Sequence, residues 1–196
     1  EAEERETVVA ISELIEYYKG IFTTLSSCAS RQLEEVTFRR ATISVPELMA
    51  TAGKYFRKVY KGNKAHIDFK IQPLEGRITG DWNQLRFLLE NLIDEACSVT
   101  LDGAVCLSAR EDGEFIRFLF TDMRREKTRE ELNQLFYPDL SRMTAGEKGE
   151  LYGTEYLVCK QIIRDHDEFA GRRGCRLNAE PGKEGGFTIY FTLPKK

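Results

Sequence analysis

Long apolar runs, paired cysteines and clustered basic residues are all missing from this 196-residue sequence. No stretch approaches the roughly 20 apolar residues that a membrane-spanning helix needs, so we expect no membrane contact within this chain. The 29 Lys and Arg residues are outnumbered by 32 Asp and Glu residues, and no long basic block occurs. Because phosphate backbones are bound by clustered cations, this charge pattern argues against a nucleic-acid-binding protein.

Cysteine, proline and glycine are also scarce. The five cysteines are widely spaced and form no Cys-x-x-Cys pair. This pattern argues against structural zinc and a disulfide framework, and it favours a reducing, cytoplasmic compartment. With 15 Gly, 5 Pro and no low-complexity tract, the chain is expected to fold around a buried core. It begins at Glu1 without a methionine, which we interpret as the cytosolic part of a longer, membrane-anchored or soluble protein.

The N-terminal segment predicts a long helix from Glu1 to about Arg31. Its apolar residues recur in alternating steps of three and four, as in coiled coils and helical bundles: Ile11, Leu14, Tyr18, Ile21, Leu25 and Cys28. The seam packs either on the helix's own domain or against a second copy of the chain. We favour the second arrangement and predict a homodimer through this helix, with a dimerisation stem at 1–35 and a second domain at 36–196.

The rest of the chain alternates between helical and strand patterns. Capping signals at Ser44 with Glu47 and at Asp81 with Gln84 open two helices. The predicted strands lie near 36–45, 66–71, 77–79, 104–110, 115–121, 175–179 and 187–193, and a last helix spans Gly153 to Arg164. This order predicts an α+β fold. We expect one core to contain Leu85, Leu88, Leu92, Phe118, Phe120, Ile162, Ile189 and Phe191.

Two polar features have ordinary structural interpretations. The run Arg124 to Lys127 is typical of a solvated loop. His166 is expected just after the last helix, where a positive charge would favour the negative end of the helix dipole.

The order of motifs resembles that of sensor histidine kinases. The motifs are Leu88-Leu89-Glu90-Asn91-Leu92-Ile93-Asp94-Glu95-Ala96, a β-hairpin, Asp122 at a strand end, Leu135-Phe136, a glycine-bearing loop, and Lys160-Gln161-Ile162-Ile163 before a closing hairpin. The resemblance covers about Val36 to Pro194. It implies a Bergerat ATP-binding fold, a two-layer sandwich in which a mixed, mostly antiparallel sheet carries three helices on one face. Residues 1–35 look like the second helix of the preceding dimerisation bundle.

The resemblance also implies which residues would hold ATP and Mg²⁺. In the family's N box, Asn91 takes the place of the catalytic asparagine near the γ-phosphate, whereas Glu95 replaces the asparagine that binds Mg²⁺. A carboxylate can ligate Mg²⁺, yet it also brings negative charge towards a triphosphate. Asp122 takes the place of the carboxylate that accepts a hydrogen bond from the adenine amine.

The glycine-rich boxes depart from the family pattern. The first reads Asp122-Met123-Arg124-Arg125-Glu126, so Arg124 and Glu126 replace two glycines that let the backbone approach the nucleotide. In the second box, Gly153 and Thr154 are the expected cofactor-binding residues, but Leu151 and Glu155 fill the other glycine positions. The departures predict weak or absent binding of ATP and Mg²⁺, unless Arg124 or Arg125 turns inward to meet phosphate.

Three functions stay open at this stage. The first is a pseudokinase or weak nucleotide binder that relays a conformational signal, with a response regulator or another signalling protein as its partner. The second is an active divergent histidine kinase that uses Asn91, Asp122 and Glu95 and phosphorylates a histidine outside this chain. The third is a domain whose remodelled pocket binds another ligand or a partner protein.

Overall fold

The computed structural model describes residues 37–61, 65–137 and 156–196. The predicted stem helix, with its seam from Ile11 to Cys28, lies outside the described residues. The described elements are β1 (Arg40–Ser44), α1 (Val45–Tyr60), β2 (Ile67–Gln72), β3 (Arg77–Asp81), α2 (Trp82–Ser98), β4 (Gly103–Asp112), β5 (Phe115–Asp122), α3 (Arg129–Gln134), α4 (Leu157–Phe169), β6 (Leu177–Pro181) and β7 (Phe187–Pro194).

The strands form a five-stranded sheet in the order β2-β4-β5-β7-β6 and a two-stranded sheet of β1 and β3. The β2–β4 pair is parallel, and the other pairs are antiparallel. The β4–β5 hairpin turns at Gly113, whose φ of 59° suits a residue without a Cβ. The predicted α+β fold with a mostly antiparallel mixed sheet is therefore confirmed.

The three long helices, α1, α2 and α4, lie side by side over one face of the larger sheet. Burial along β5 alternates, with Ile116, Phe118, Phe120 and Asp122 on the buried side, as the two-residue period of a strand requires. The rings of Phe118 and Phe191 stack with centroids 5.0 Å apart across the β5–β7 pair. All eight predicted core residues are buried.

Helix caps follow the sequence signals in part. Asp81 caps α2 by accepting a hydrogen bond from the Gln84 amide at 3.1 Å, as predicted. Ser44 accepts from the Glu47 amide at 3.4 Å. A reciprocal capping box that the sequence analysis missed opens α3, where Thr128 and Glu131 each bond the other's backbone amide.

The last helix does not end where the sequence predicts. It continues five residues past Arg164, to Phe169, and its polar residues Asp165 and His166 are buried. His166 is therefore inside the helix, and the prediction that it follows the helix is wrong. In the part of the chain that the structure describes, no helix combines the length and the apolar character needed to cross a membrane.

Candidate functional site

Asp122 is the last residue of β5 and lies deep in the candidate site. Its partners across the sheet are Val105 in β4 and Phe187 in β7, and directly opposed residues of antiparallel strands share a face. The carboxylate therefore points to the helix-covered side, beyond Phe120, and the residue is only 1% exposed. A carboxylate buried to this degree needs compensating donors.

Arg124 supplies three of those donors. Its backbone N donates to Asp122 Oδ1 at 3.0 Å, its Nε to the same oxygen at 2.9 Å, and its Nη2 to Oδ2 at 2.8 Å. The two side chains form a forked ion pair in which each is 1% exposed. The interpretation of Arg124 as part of a solvated loop is therefore wrong, because the turn after β5 directs its side chain inward.

The Arg124 guanidinium also bonds two backbone carbonyls of the neighbouring elements. Nη2 donates to Ala96 O at 2.7 Å, and Nη1 donates to Leu101 O at 3.1 Å. Ala96 lies in the last turn of α2, where carbonyls have no partner within the helix. Arg124 thus ties the end of β5 to the C-terminal end of α2 and to the chain that follows it.

Gly103 provides the room for this arginine. A Cβ on Gly103 would lie 2.9 Å from Arg124 Cγ, and the φ of +133° at Gly103 is one that residues with a side chain rarely adopt. The first residue of β4 must therefore remain a glycine for the Arg124 side chain to keep its buried position.

Arg125 adds a second cation to the same carboxylate. Its Nε donates to Asp122 Oδ2 at 3.0 Å, and its Nη1 lies 3.4 Å from Glu95 Oε1. The guanidinium also lies over the ring of Phe187, 5.4 Å from the centroid. This side chain is 15% exposed, so Arg125 forms the outer wall of the cluster, and Arg124 forms its interior.

These contacts decide the charge state of Asp122. Burial opposes its ionisation, but the hydrogen bonds from Arg124 and the charge of Arg125 outweigh burial and lower the pKa of the carboxyl below its ordinary value. Asp122 is consequently an anion at neutral pH, balanced by two arginines.

The acceptor capacity of Asp122 is fully used. A carboxylate offers about four lone-pair positions, two on each oxygen. Oδ1 accepts from Arg124 N and Nε, and Oδ2 accepts from Arg124 Nη2 and Arg125 Nε. In this arrangement, no lone pair is left for the exocyclic amine of an adenine ring. The residues present therefore do not fit the base of ATP as they stand.

Asn91 and Glu95 lie one turn apart on α2, but their contacts differ. Asn91 Oδ1 accepts from the Cys159 thiol of α4 at 3.3 Å. Cys159 is completely buried, and burial raises its pKa to about 12, so its sulfur remains a neutral thiol. Glu95 instead contacts Arg125 and so belongs to the group of Asp122, Arg124, Arg125 and Glu95, called the arginine cluster here.

The remaining predicted cofactor residues, Gly153 and Thr154, lie outside the described residues. Within the ranges described, no group of three or more His, Cys, Asp or Glu side chains is arranged to hold a metal ion. Glu95, the predicted Mg²⁺ ligand, is paired with Arg125, so that the guanidinium is the counter-ion of its carboxylate. The structure thus connects Asp122 and Glu95 through Arg125.

A cavity of about 280 Å³ lies elsewhere, between α3, α4 and the edge strand β6. It is lined by Leu132, Asn133, Phe136, Tyr137, Lys160, Leu177, Asn178 and Ala179. Sequence reasoning did not single out this cavity. It contains none of the described residues that the sequence assigned to the ATP site, so the two features are separate.

Solved structures resemble the chain although no protein-family model and no curated protein matches its sequence. The catalytic domain of histidine kinase ThkA superposes with a TM-score of 0.61 at 18% identity, over 80% of this chain and 96% of that one. The chain has the fold of histidine kinase catalytic domains. Full-length ShkA in complex with AMPPNP gives a TM-score of 0.68 at 18% identity, over 100% of this chain and 39% of that one.

A third similar structure is histidine kinase ThkA in complex with the response regulator protein TrrA. It gives a TM-score of 0.71 at 16% identity and covers 95% of this chain and 50% of that one. At identities this low, the superpositions establish the shared fold alone, and function has to be argued from the site itself. The feature from which function is argued is therefore the group of contacts at the carboxylate that ends β5.

Proposed function

We propose that this chain is a histidine-kinase-like signalling module that relays a conformational change without depending on ATP. The observation that carries the proposal is the saturation of Asp122 by Arg124 and Arg125. Asp122 is the residue to which the resemblance assigns recognition of the base. An arginine whose side chain is 1% exposed at this position fills both the space and the acceptor positions beside Asp122.

The charge of the cluster supports the same proposal. Two arginines face the carboxylates of Asp122 and Glu95, so the buried charges are balanced before any ligand arrives. A nucleotide base that displaced Arg124 would break the five hydrogen bonds that the side chain and backbone of Arg124 donate. It would also leave the buried guanidinium without its carboxylate partner. Separating a buried ion pair so that one charge is left unpaired costs about 3–5 kcal/mol. This cost is comparable with the whole binding free energy of a ligand with a millimolar Kd.

The surroundings of the module are part of the proposal. The stem at 1–35 joins two copies of the chain in a homodimer and carries the signal to the domain at 36–196. The similarity to a kinase solved with a response regulator supports a response regulator or another signalling protein as the partner. We place this chain in the cytoplasm, as part of a longer protein, with ATP and Mg²⁺ bound weakly or not at all.

Calorimetric titration with ATP and Mg²⁺ tests the proposal. We expect the unmodified chain to bind no more tightly than in the high micromolar range, and Asp122→Ala to leave the heat signal unchanged. Asp112→Ala is the matched control, because Asp112 is also paired with an arginine but lies at the β4–β5 turn. Low-micromolar binding that disappears in Asp122→Ala and survives in Asp112→Ala would overturn the proposal in favour of an active divergent kinase.

A variant that restores the family pattern sharpens the result. Arg124→Gly combined with Glu126→Gly frees two of the four acceptor positions of Asp122 and places glycines where the resemblance implies them. If the arginine is what excludes the base, this variant should bind ATP at least tenfold more tightly than the parent chain, provided that circular dichroism shows it to be folded. No gain in a folded variant would mean that Arg124 is not the element that blocks the base.

A further inference from the structure

A short segment at the start of the domain contacts two buried residues, His166 and Asp81. Residues 37–39, called the linker segment here, follow 1–36 in sequence and lead into β1. The ring of Phe38 stands edge-on to the ring of His166, with centroids 4.9 Å apart and planes inclined at 79°. The Arg39 backbone amide donates to Asp81 Oδ2 at 2.7 Å. The ring centroid of Phe38 also lies 5.8 Å from that of Phe169. The linker segment is therefore held by these aromatic contacts together with a charge-assisted hydrogen bond.

His166 has a defined protonation state because of its two neighbours. Nδ1 lies 2.7 Å from Ile162 O, and Nε2 accepts the backbone N–H of Asp81 at 3.0 Å. A carbonyl only accepts and a backbone N–H only donates, so the proton must be on Nδ1 and the ring must be neutral. The residue is completely buried, and burial lowers its pKa below 6.5. His166 therefore carries no helix-dipole charge, which corrects the role predicted from the sequence.

Asp81 connects the ring to the linker segment. Its Oδ1 accepts from Gln84 N and caps α2, and its Oδ2 accepts from Arg39 N. Asp81 is also the charged group that acts on His166 from another element. The other charged groups nearby in sequence are Asp165 and Asp167 on the ring's own helix and the exposed Arg39 and Arg40 beside Phe38.

We propose that Phe38, Arg39, Asp81 and His166 form a pH-sensitive latch that releases the linker segment when His166 is protonated. Protonation of Nε2 sets one N–H against the N–H of Asp81 and abolishes that hydrogen bond. The new imidazolium attracts the Asp81 carboxylate, and a carboxylate that turns towards the ring leaves Arg39. This step forms one N–H bond at Nε2 with a proton from a hydronium ion, which becomes water, and it exchanges the hydrogen-bond partners of Asp81.

The latch lies where chain 1–36 enters the domain, so its release would alter how a signal passes between stem and domain. This role rests on the proposed function, but the latch itself does not. Its test therefore reads the linker segment directly and includes no nucleotide, so that a failure of the latch and a failure of the ATP proposal are distinguishable.

The test measures hydrogen exchange of the Arg39 amide by NMR in the whole chain, from about pH 8 to about pH 5, after correction for the intrinsic pH dependence of exchange. We expect protection of this amide to fall roughly tenfold over that range, which is the order of one lost hydrogen bond. The Cε1–H signal of His166 should titrate with the same midpoint. His66, the second of the two histidines, is exposed at the start of β2 and gives the matched control.

His166→Gln keeps a donor and an acceptor but does not titrate. In this variant, Arg39 should remain protected across the whole range, whereas His66→Gln should behave as the parent chain does. The proposal is overturned if Arg39 protection is independent of pH in the parent chain, or if its loss persists in His166→Gln. If His166→Gln does not fold, the parent chain decides, since different midpoints for His166 and for Arg39 would also overturn it.

Discussion

Replacing Arg124 by alanine removes the side chain that joins three parts of the domain. The substitution deletes hydrogen bonds to both oxygens of Asp122, to Ala96 O in α2 and to Leu101 O. Asp122 retains the Arg124 backbone amide and the side chain of Arg125. The last turn of α2 loses its partner for a carbonyl, and a space the size of an arginine side chain opens in the interior.

The expected loss of stability is large for a residue in a turn, because the Arg124 side chain is buried. Removing one partner of a buried ion pair costs about 3–5 kcal/mol. The remaining contact of Asp122 with Arg125 offsets part of this cost, and water can enter from the exposed side of Arg125. We therefore expect the free energy of unfolding to fall by about 2–4 kcal/mol.

Urea denaturation followed by the fluorescence of Trp82 measures this change. Trp82 is the only tryptophan in the sequence and begins α2, so its signal reports on the domain from Thr37 to Lys196. The matched control is Arg117→Ala, which removes a pair in which Nε and Nη2 both donate to Asp112 Oδ2 and the two side chains are 20% and 41% exposed. It also removes the contact of the guanidinium with the ring of Tyr190, 4.5 Å from the centroid. An exposed pair is worth about 0–1 kcal/mol. Equal losses in the two variants would refute the assignment of Arg124 as an interior element.

Two further measurements examine His166 and the stem. Because folding lowers the pKa of His166, the unfolded chain binds more protons just below pH 6.5, and stability should fall by up to about 1.4 kcal/mol per pH unit as the pH drops from 6.5 towards the folded pKa. His166→Gln should remove this slope and His66→Gln should keep it, and a slope unchanged in His166→Gln would show another group to be responsible. Light scattering should give the mass of two chains, and Leu14→Lys in the predicted seam should give the mass of one. A single-chain mass for the parent protein at high concentration would count against the stem as a dimerisation element.

Much of the fold was accessible from hydrophobic periodicity. The two-residue period of β5 and the wide apolar face of α2 place Phe118 and Leu88 in the interior without knowledge of any partner element. Turn and helix-capping residues were equally informative, since Gly113 turns the β4–β5 hairpin and Asp81 caps α2. These features depend on neighbours in sequence, which explains why the sequence suffices for them.

The end of α4 was beyond such reasoning. From Arg164 to Glu168 the residues are all charged or polar, so hydrophobic periodicity alone suggests that the helix has ended. The helix continues because His166 finds tertiary partners, the carbonyl of Ile162 and the amide of Asp81, which allow a polar ring to be buried. A partner 85 positions away in the sequence leaves no local signal.

The candidate site shows the same division. Asp122, Glu95 and Asn91 were named as candidates from motif order. An inward turn of Arg124 or Arg125 was considered only as a way to meet phosphate, and the contact of Arg124 with Asp122 was not predicted. A charged run after a strand is usually solvated. Here the inward turn depends on the space above Gly103 and on the carbonyls of Ala96 and Leu101, which are properties of the assembled fold.

An arginine at position 124, where the resemblance implies a glycine, adds contacts as well as restricting the backbone. With glycine there, the carbonyls of Ala96 and Leu101 and two of the four acceptor positions of Asp122 would need other donors, from water or from a ligand. Arg124 supplies these donors from within the chain, and Arg125 extends the same network to Glu95. Under the proposed function, the arginine cluster keeps this arrangement with or without nucleotide, which suits a domain whose response depends on movements of the stem. The arginine cluster is therefore the feature to perturb.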